Sequence, residues 1–367
     1  MMMMMENVTG VLTPFLTNTT NPETAMSTIH EDADSHQYIN LFARWNFFTI
    51  VSLSIICILG VAGNGLVIWV GIFKMTRTVN VIWFLNLAIA DFIFDIFLPL
   101  HIVPMVMEHY WPFGDILCKI TKTILYLNML TSISILAVIS IDRCVSVLYP
   151  VWSRNHRTPS LACKIAFATW LFAVILSSPY PAFYEAITFW DRNVTYCFDT
   201  YGIQEEDGVV VIMRYKVMII TRFVSMFVVP FIIIIICYGA IALKIKNRKH
   251  QSTSSRPYTI IITIIVLFFI CWFPFHVFPL LDFYIYDPTY WFFKLGVVAE
   301  ALATSLAYFN SCLNPILYVF MGSDFKDILR KSFLTVFEGA FNEELTVEKL
   351  DGRTPPKPSC EVESQLL

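Results

Sequence analysis

Seven long apolar stretches run along the chain, at about 45–73, 80–106, 116–148, 161–184, 212–244, 257–283 and 292–320, separated by short polar connectors. Each reaches or exceeds the roughly 20 residues a helix needs to cross a bilayer's hydrocarbon. No internal repeat relates them, so the inverted-repeat signature of a transporter is missing. The pattern predicts an all-α membrane protein, a seven-transmembrane helix bundle over 44–322. Ahead of it lies a polar tail, 1–43. Behind it, Phe325, Ile328, Leu329 and Phe333 share one helical face, which predicts a short amphipathic helix on the membrane surface over 323–337. Residues 338–367 are polar, carry Pro355, Pro356 and Pro358, and read as a disordered cytoplasmic tail.

Positive charge orients the spans, because connectors rich in Lys and Arg stay on the cytoplasmic side. Lys74, Arg77, Arg143, Arg154, Arg157, Lys164, Lys244, Lys246, Arg248, Lys249, Arg256, Lys326, Arg330 and Lys331 all fall on one side of the alternation. About half as many basic residues fall on the other, which is richer in acid. The N-terminus is therefore expected outside and the C-terminus inside, in a multi-pass protein of the plasma membrane. Three glycosylation sequons, at Asn7, Asn18 and Asn193, lie on the outer side of that arrangement. No basic stretch followed by an apolar core and a cleavage site opens the chain, so no signal peptide is expected.

Composition narrows the function classes. Charged residues are 14% of the chain and hydrophobic residues 57%, against about 25% and 45–50% in soluble domains. Mean hydropathy is +0.64. A chain with so little charge is neither a soluble enzyme nor a disordered scaffold. The net charge of −3 gives no basic excess for nucleic acid. The nine cysteines form no C-x-x-C pair, which argues against zinc and iron–sulfur sites.

Polar groups inside the spans carry the candidate chemistry, since each is costly in hydrocarbon. Asp91 is the clearest, with Asn64, Asn128, Ser132, Asn310 and Asn314 also at mid-span. A buried carboxylate needs a cation or several donors. Two readings stay open: a satisfied packing network, or a small-cation site, for sodium, linked to a conformational switch. No other cofactor is expected. Asp142 and Arg143 close the third span, where the acid can hold the neighbouring guanidinium in a releasable ion pair. Pro274 in the sixth span and Pro315 in the seventh remove backbone hydrogen bonds and predict kinks, as do Pro99, Pro179 and Pro230.

Asn64, Asp91, Asp142-Arg143, Trp170, Pro230, Trp272-Phe273-Pro274 and Asn314-Pro315-Ile316-Leu317-Tyr318 resemble the marker positions of rhodopsin-like G-protein-coupled receptors, one set on each span. The likeness covers about 45–335. Within that family three stretches resemble the leukocyte chemoattractant receptors for formyl peptides and chemerin: Trp111 to Gly114, Pro150 to Thr158, and Asn310 to Pro315 with its continuation to Phe325. Phe97 to Ile102 is more similar to the chemerin receptor. Formyl peptide receptors use an Asp where this chain has Tyr126, and a second Arg where it has Met218; only Arg222 matches.

The resemblance implies a receptor for a peptide or protein chemoattractant, acting in chemotaxis and inflammation, and not an enzyme. It implies coupling to a heterotrimeric G protein of the inhibitory class and to arrestin, with membrane lipids around the bundle. It implies a Cys118–Cys197 disulfide, and a relay from Trp272 and Pro274 to Asp142, Arg143 and Tyr318. Arg222 is the foremost ligand contact, able to clamp a carboxylate bidentately; a structural ion pair with Asp282 or Glu300 is the alternative. Asp282, Glu300, His101 and Tyr126 are further contacts. A non-signalling scavenger, or a receptor for a lipid or small carboxylate, are the other roles. An amine ligand is disfavoured by Leu125 where an acid is needed, and a retinal pigment by Tyr308 where a lysine is needed. The seven histidines are scattered over tail, loops and span ends, which does not suit a membrane hydrolase.

Overall fold

The structure is a computed structural model that describes residues 22–189, 194–201, 208–247, 256–282 and 290–321, with side chains for 40–189, 194–201, 209–244, 262–263, 265–281 and 295–315. The expected amphipathic helix, the cytoplasmic tail and the sequons at Asn7, Asn18 and Asn193 lie outside these residues, as do the side chains of Asp282 and Tyr318.

The helices are α1 (Pro22–Phe73), α2 (Val79–Phe97), α3 (Pro99–Val106), α4 (Gly114–Leu148), α5 (Pro150–His156), α6 (Pro159–Ser177), α7 (Gly208–Phe223), α8 (Val229–Asn247), α9 (Arg256–Asp282) and α10 (Tyr290–Met321). Among the described residues, five stretches are long and apolar enough to cross a membrane: Asn40–Phe73, Val79–Val106, Gly114–Leu148, Pro159–Ala182 and Val209–Lys244. A shorter apolar stretch, Ile265–Leu281, lies in α9. Helix α1 begins at Pro22, well before the apolar run, so helical backbone reaches into the expected N-terminal tail.

Proline sets most departures from straight helix. Pro99 starts α3 directly after Leu98, dividing the second span into α2 and α3. The missing N–H of Pro230 cannot serve the carbonyl one turn earlier, and the chain widens into a π turn over Val224–Val228 between α7 and α8. Pro179 ends the fourth span earlier than expected: α6 stops at Ser177 and a 3-10 turn follows over Tyr180–Ala182. Pro274 and Pro315 are carried inside α9 and α10.

Helix α4 is the central rod. Leu125, Met129, Leu130, Ile133, Ile135, Leu136 and Ile139 on it are all buried, against α2, α6 and α8. Helix α10 packs on α1 and α9. Close approach there depends on Gly63, where an added Cβ would come within 2.9 Å of Pro315 Cβ. The outward faces of α6 and α8 carry Phe167, Leu171, Phe172, Ile232, Ile235 and Ile236 in the open. An apolar surface this continuous suits lipid and would aggregate in water.

One element was not foreseen in an all-helical reading. Strands β1 (Tyr184–Phe189) and β2 (Val194–Asp199) pair antiparallel, with Ala186 opposite Cys197. Both are rich in β-branched and aromatic residues, which suit a pleated, half-buried ribbon. Three links fasten the hairpin to the bundle. Cys197 is bonded to Cys118 near the start of α4. The Ala186 N–H donates to Asp115 Oδ1 at 3.0 Å, and the Trp111 N–H donates to Thr195 O at 2.7 Å.

Candidate ligand site and polar core

The hairpin and the 3-10 turn bring a set of tyrosines onto the first half of α4. Tyr126 stacks on Tyr180 with ring centroids 3.7 Å apart, and its hydroxyl lies 3.0 Å from that of Tyr184. Arg222, near the end of α7, points into this group. Its Nη1 donates to the Tyr126 hydroxyl at 3.2 Å. Its guanidinium carbon lies 5.8 Å from the Tyr126 ring and 5.3 Å from the Phe275 ring, within cation–π range. The buried Nε of Arg222 has no hydrogen-bond partner among the described residues.

The ion pairs found among the described residues are Asp115–Lys119 and Asp142–Arg157. Arg222 is therefore not paired with Glu300, which is exposed. Its neighbours are neutral: burial, reinforced by Asp199, holds the Tyr201 phenol above its ordinary range. Among the described residues, the cage thus presents a fork-shaped cation with no ion-pair partner. Lys122, one turn before Tyr126 on α4, adds a second cation 6.0 Å from the Tyr184 ring. His101 stands edge-on to Tyr308 at 5.7 Å. Below Arg222, Phe275 and His276 continue to the buried Trp272, edge-on to Phe275 at 5.5 Å.

Two to six residues farther along α4, at Asn128 and Ser132, lies a polar layer. Asp91 is fully buried. Its Oδ1 accepts from Asn128 Nδ2 at 3.0 Å and Ser132 Oγ at 3.4 Å, and its Oδ2 from Asn314 Nδ2 at 2.7 Å. Asn310, buried one turn earlier on α10, donates no hydrogen bond to Asp91 among the described residues. Three elements are thus joined through one carboxylate. The fourth-span marker Trp170 reaches the second span: its Nε1 donates to Asn86 Oδ1 at 3.0 Å, joining α6 to α2.

The sequence model of the family described as "7 transmembrane receptor (rhodopsin family)" matches residues 63–318. The chain belongs to this family of seven-transmembrane receptors. Human chemerin-like receptor 1 is 44% identical over 289 residues, covering 76% of each chain. Human N-formyl peptide receptor 3 is 40% identical over 308 residues, covering 81% of this chain and 85% of the relative. The gorilla N-formyl peptide receptor 2 is 41% identical over 330 residues, covering 87% and 92%. The protein is a G-protein-coupled receptor of the chemerin and formyl peptide receptor type, a multi-pass plasma-membrane protein and not an enzyme.

At the far end of α4 the receptor departs from the expected Asp142–Arg143 pair. Asp142 is held instead by Arg157, just beyond α5, with Nε to Oδ1 at 2.8 Å and Nη2 to Oδ2 at 2.9 Å. Adjacent residues on a helix do not face each other, so Asp142 and Arg143 diverge. Arg143 Nη2 donates to Asn80 Oδ1, which also accepts from Arg157 Nη2 at 2.6 Å. Arg157→Ala strands the half-buried Asp142 carboxylate and should cost about 1–3 kcal/mol of stability. Adding Asp142→Asn should recover part of that loss. Thermal unfolding of the single and double variants of the purified receptor measures both; additive losses would deny the pairing.

Sequence reasoning missed Tyr180, Tyr184, Lys122, Arg157 and Asn80, whose roles depend on where the hairpin and α5 fold back. It also missed Asp95. That residue carried a readable signal, an acid inside an apolar span, four positions after Asp91 and so on the same helix face.

Proposed function

We propose that the receptor binds a peptide or protein chemoattractant through a carboxylate clamped by Arg222, and signals through an inhibitory G protein and arrestin. The observation that carries this reading is the Arg222 guanidinium, half-buried among aromatic rings and in no ion pair among the described residues. A bidentate carboxylate satisfies such a fork, and Lys122 adds a long-range attraction for the same charge. The names of the relatives support a peptide ligand. The excess of positive charge in the connectors on the Asp142 side supports an extracellular hairpin and a cytoplasmic Asp142 end.

Activation follows as a population shift: a ligand that binds the cage better in one arrangement of α7 to α9 favours that arrangement. Trp272, edge-on to Phe275 of the cage, and the π turn before Pro230 are the parts able to repack. In this reading Asp91, with Asn128, Ser132 and Asn314, holds a sodium ion in the resting receptor. Asp91→Asn should abolish the dependence of agonist affinity on NaCl. Equal dependence in both proteins, measured by competition binding with choline chloride as the control salt, would remove the ion from the account. A non-signalling scavenger would bind and internalise the same ligand with no change in cyclic AMP.

A further inference from the structure

Asp95 is a second acid in the polar layer, one turn after Asp91 on α2, and like Asp91 and Asn64 it is 0% exposed. Its Oδ1 accepts from Ser311 Oγ at 2.7 Å and its Oδ2 from Asn64 Nδ2 at 3.0 Å. Asn64 Nδ2 also donates to Ser311 O at 3.0 Å. The Asn64 amide cannot be turned over, because its oxygen would then face the carboxylate and the carbonyl. Its Oδ1 is thereby left buried without a partner, on the same amide plane that contacts Asp95.

The fold makes room for this acid. An added Cβ at Gly60 would collide with the Asp95 carboxylate, so α1 offers bare backbone there. Every donor to the two carboxylates is neutral, and neither acid is in an ion pair among the described residues. A carboxylate offers about four lone-pair sites, and Asp95 has two of them engaged. Spare carboxylate capacity beside an orphaned amide oxygen is the donor set of a hard cation, which takes oxygen ligands from carboxylates and carbonyls.

We propose that Asp95 and the Asn64 carbonyl oxygen form a second arm of the cation site at Asp91, so that the layer between α1, α2 and α10 binds sodium through two carboxylates. The inference rests on the sodium reading of Asp91, but its readout needs no agonist and so stands apart from the ligand assignment.

The test is the thermal unfolding midpoint of the purified full-length receptor as NaCl replaces choline chloride at constant ionic strength. The wild-type midpoint should rise and saturate with sodium, and Asp91→Asn should show no rise. Asp95→Asn, which keeps the size of the side chain, removes its charge, and can still accept from Asn64 while its NH2 donates to the rotatable Ser311 hydroxyl, should need at least roughly tenfold more sodium for the same rise. Should that variant fail to fold, the smaller neutral Asp95→Ser should show the same displacement. A half-saturating concentration equal to wild type in a folded Asp95 variant would overturn the proposal. So would a variant that keeps its sodium response and loses only a pH response, which would make Asp95 a proton site. A sodium rise retained in Asp91→Asn would sink the Asp91 reading and, with it, a site built from two carboxylates, whereas a failure at Asp95 alone would leave the Asp91 reading intact.

Discussion

Replacing Arg222 by alanine will leave the receptor at the cell surface and remove its response to its peptide agonist. Truncating one partner of a buried, hydrogen-bonded charge pair costs about 2–5 kcal/mol. At 1.4 kcal/mol per factor of ten, that is a loss of roughly 30-fold to several thousand-fold in potency. Surface expression should survive, because Arg222 has no ionic partner among the described residues to be stranded. Tyr126 keeps its stack on Tyr180 and its contact with Tyr184 without it. Arg222→Lys should fall between the two, since an ammonium restores the charge but not the planar fork. Dose–response curves normalised to surface antibody labelling would show this. An unshifted curve for the alanine variant would remove Arg222 from the binding site.

Removing the Cys118–Cys197 disulfide will have the largest effect on stability. The bond closes a loop of 79 residues in sequence, and chain entropy alone values such a closure at about 4.5 kcal/mol. In native receptor the bond also holds β2 to α4, and through the hairpin holds Tyr184 against Tyr126. A Cys118→Ser, Cys197→Ser receptor should therefore lose most of its surface expression, and what reaches the surface should bind agonist weakly. A double variant with wild-type expression and affinity would show that the Asp115 and Trp111 contacts suffice to seat the hairpin.

Much of the architecture was legible because hydrocarbon imposes a length. A run of about 20 apolar residues has few other uses, and the expected spans fall within the observed helices to within a few residues, except where Pro179 ends α6 early. Proline was legible for a similar reason: a missing N–H has a local consequence wherever it occurs, as at Leu98 and Val224–Val228. Pairings were legible only where sequence distance did not matter. Asp91 was found as a buried acid with five candidate companions, of which Asn128, Ser132 and Asn314 bond to it, while Asn64 bonds to Asp95 and Asn310 has no hydrogen bond to Asp91 among the described residues. Asp142 was assigned to Arg143 because they are adjacent in the chain, whereas helix geometry turns them apart and Arg157 reaches back from beyond α5. The cage around Arg222 was half legible. Tyr126 and Arg222 stood out as departures from, and matches to, a known pattern. Tyr180 and Tyr184 are placed by a turn and a hairpin whose position depends on a disulfide.

The central claim is that a ligand carboxylate meets Arg222. It is tested most directly by a cyclic-AMP assay that crosses two receptors with two peptides. Wild-type receptor and Arg222→Ala, matched for surface expression, are each challenged with a peptide agonist of the wild-type receptor, made with its carboxyl terminus as the free acid and as the amide. The account predicts that the free acid lowers stimulated cyclic AMP at wild-type receptor, that the amide is weaker by at least about 30-fold, and that the two peptides become equivalent at Arg222→Ala. An amide as potent as the acid at wild-type receptor, or an acid preference that persists in the alanine variant, would contradict it.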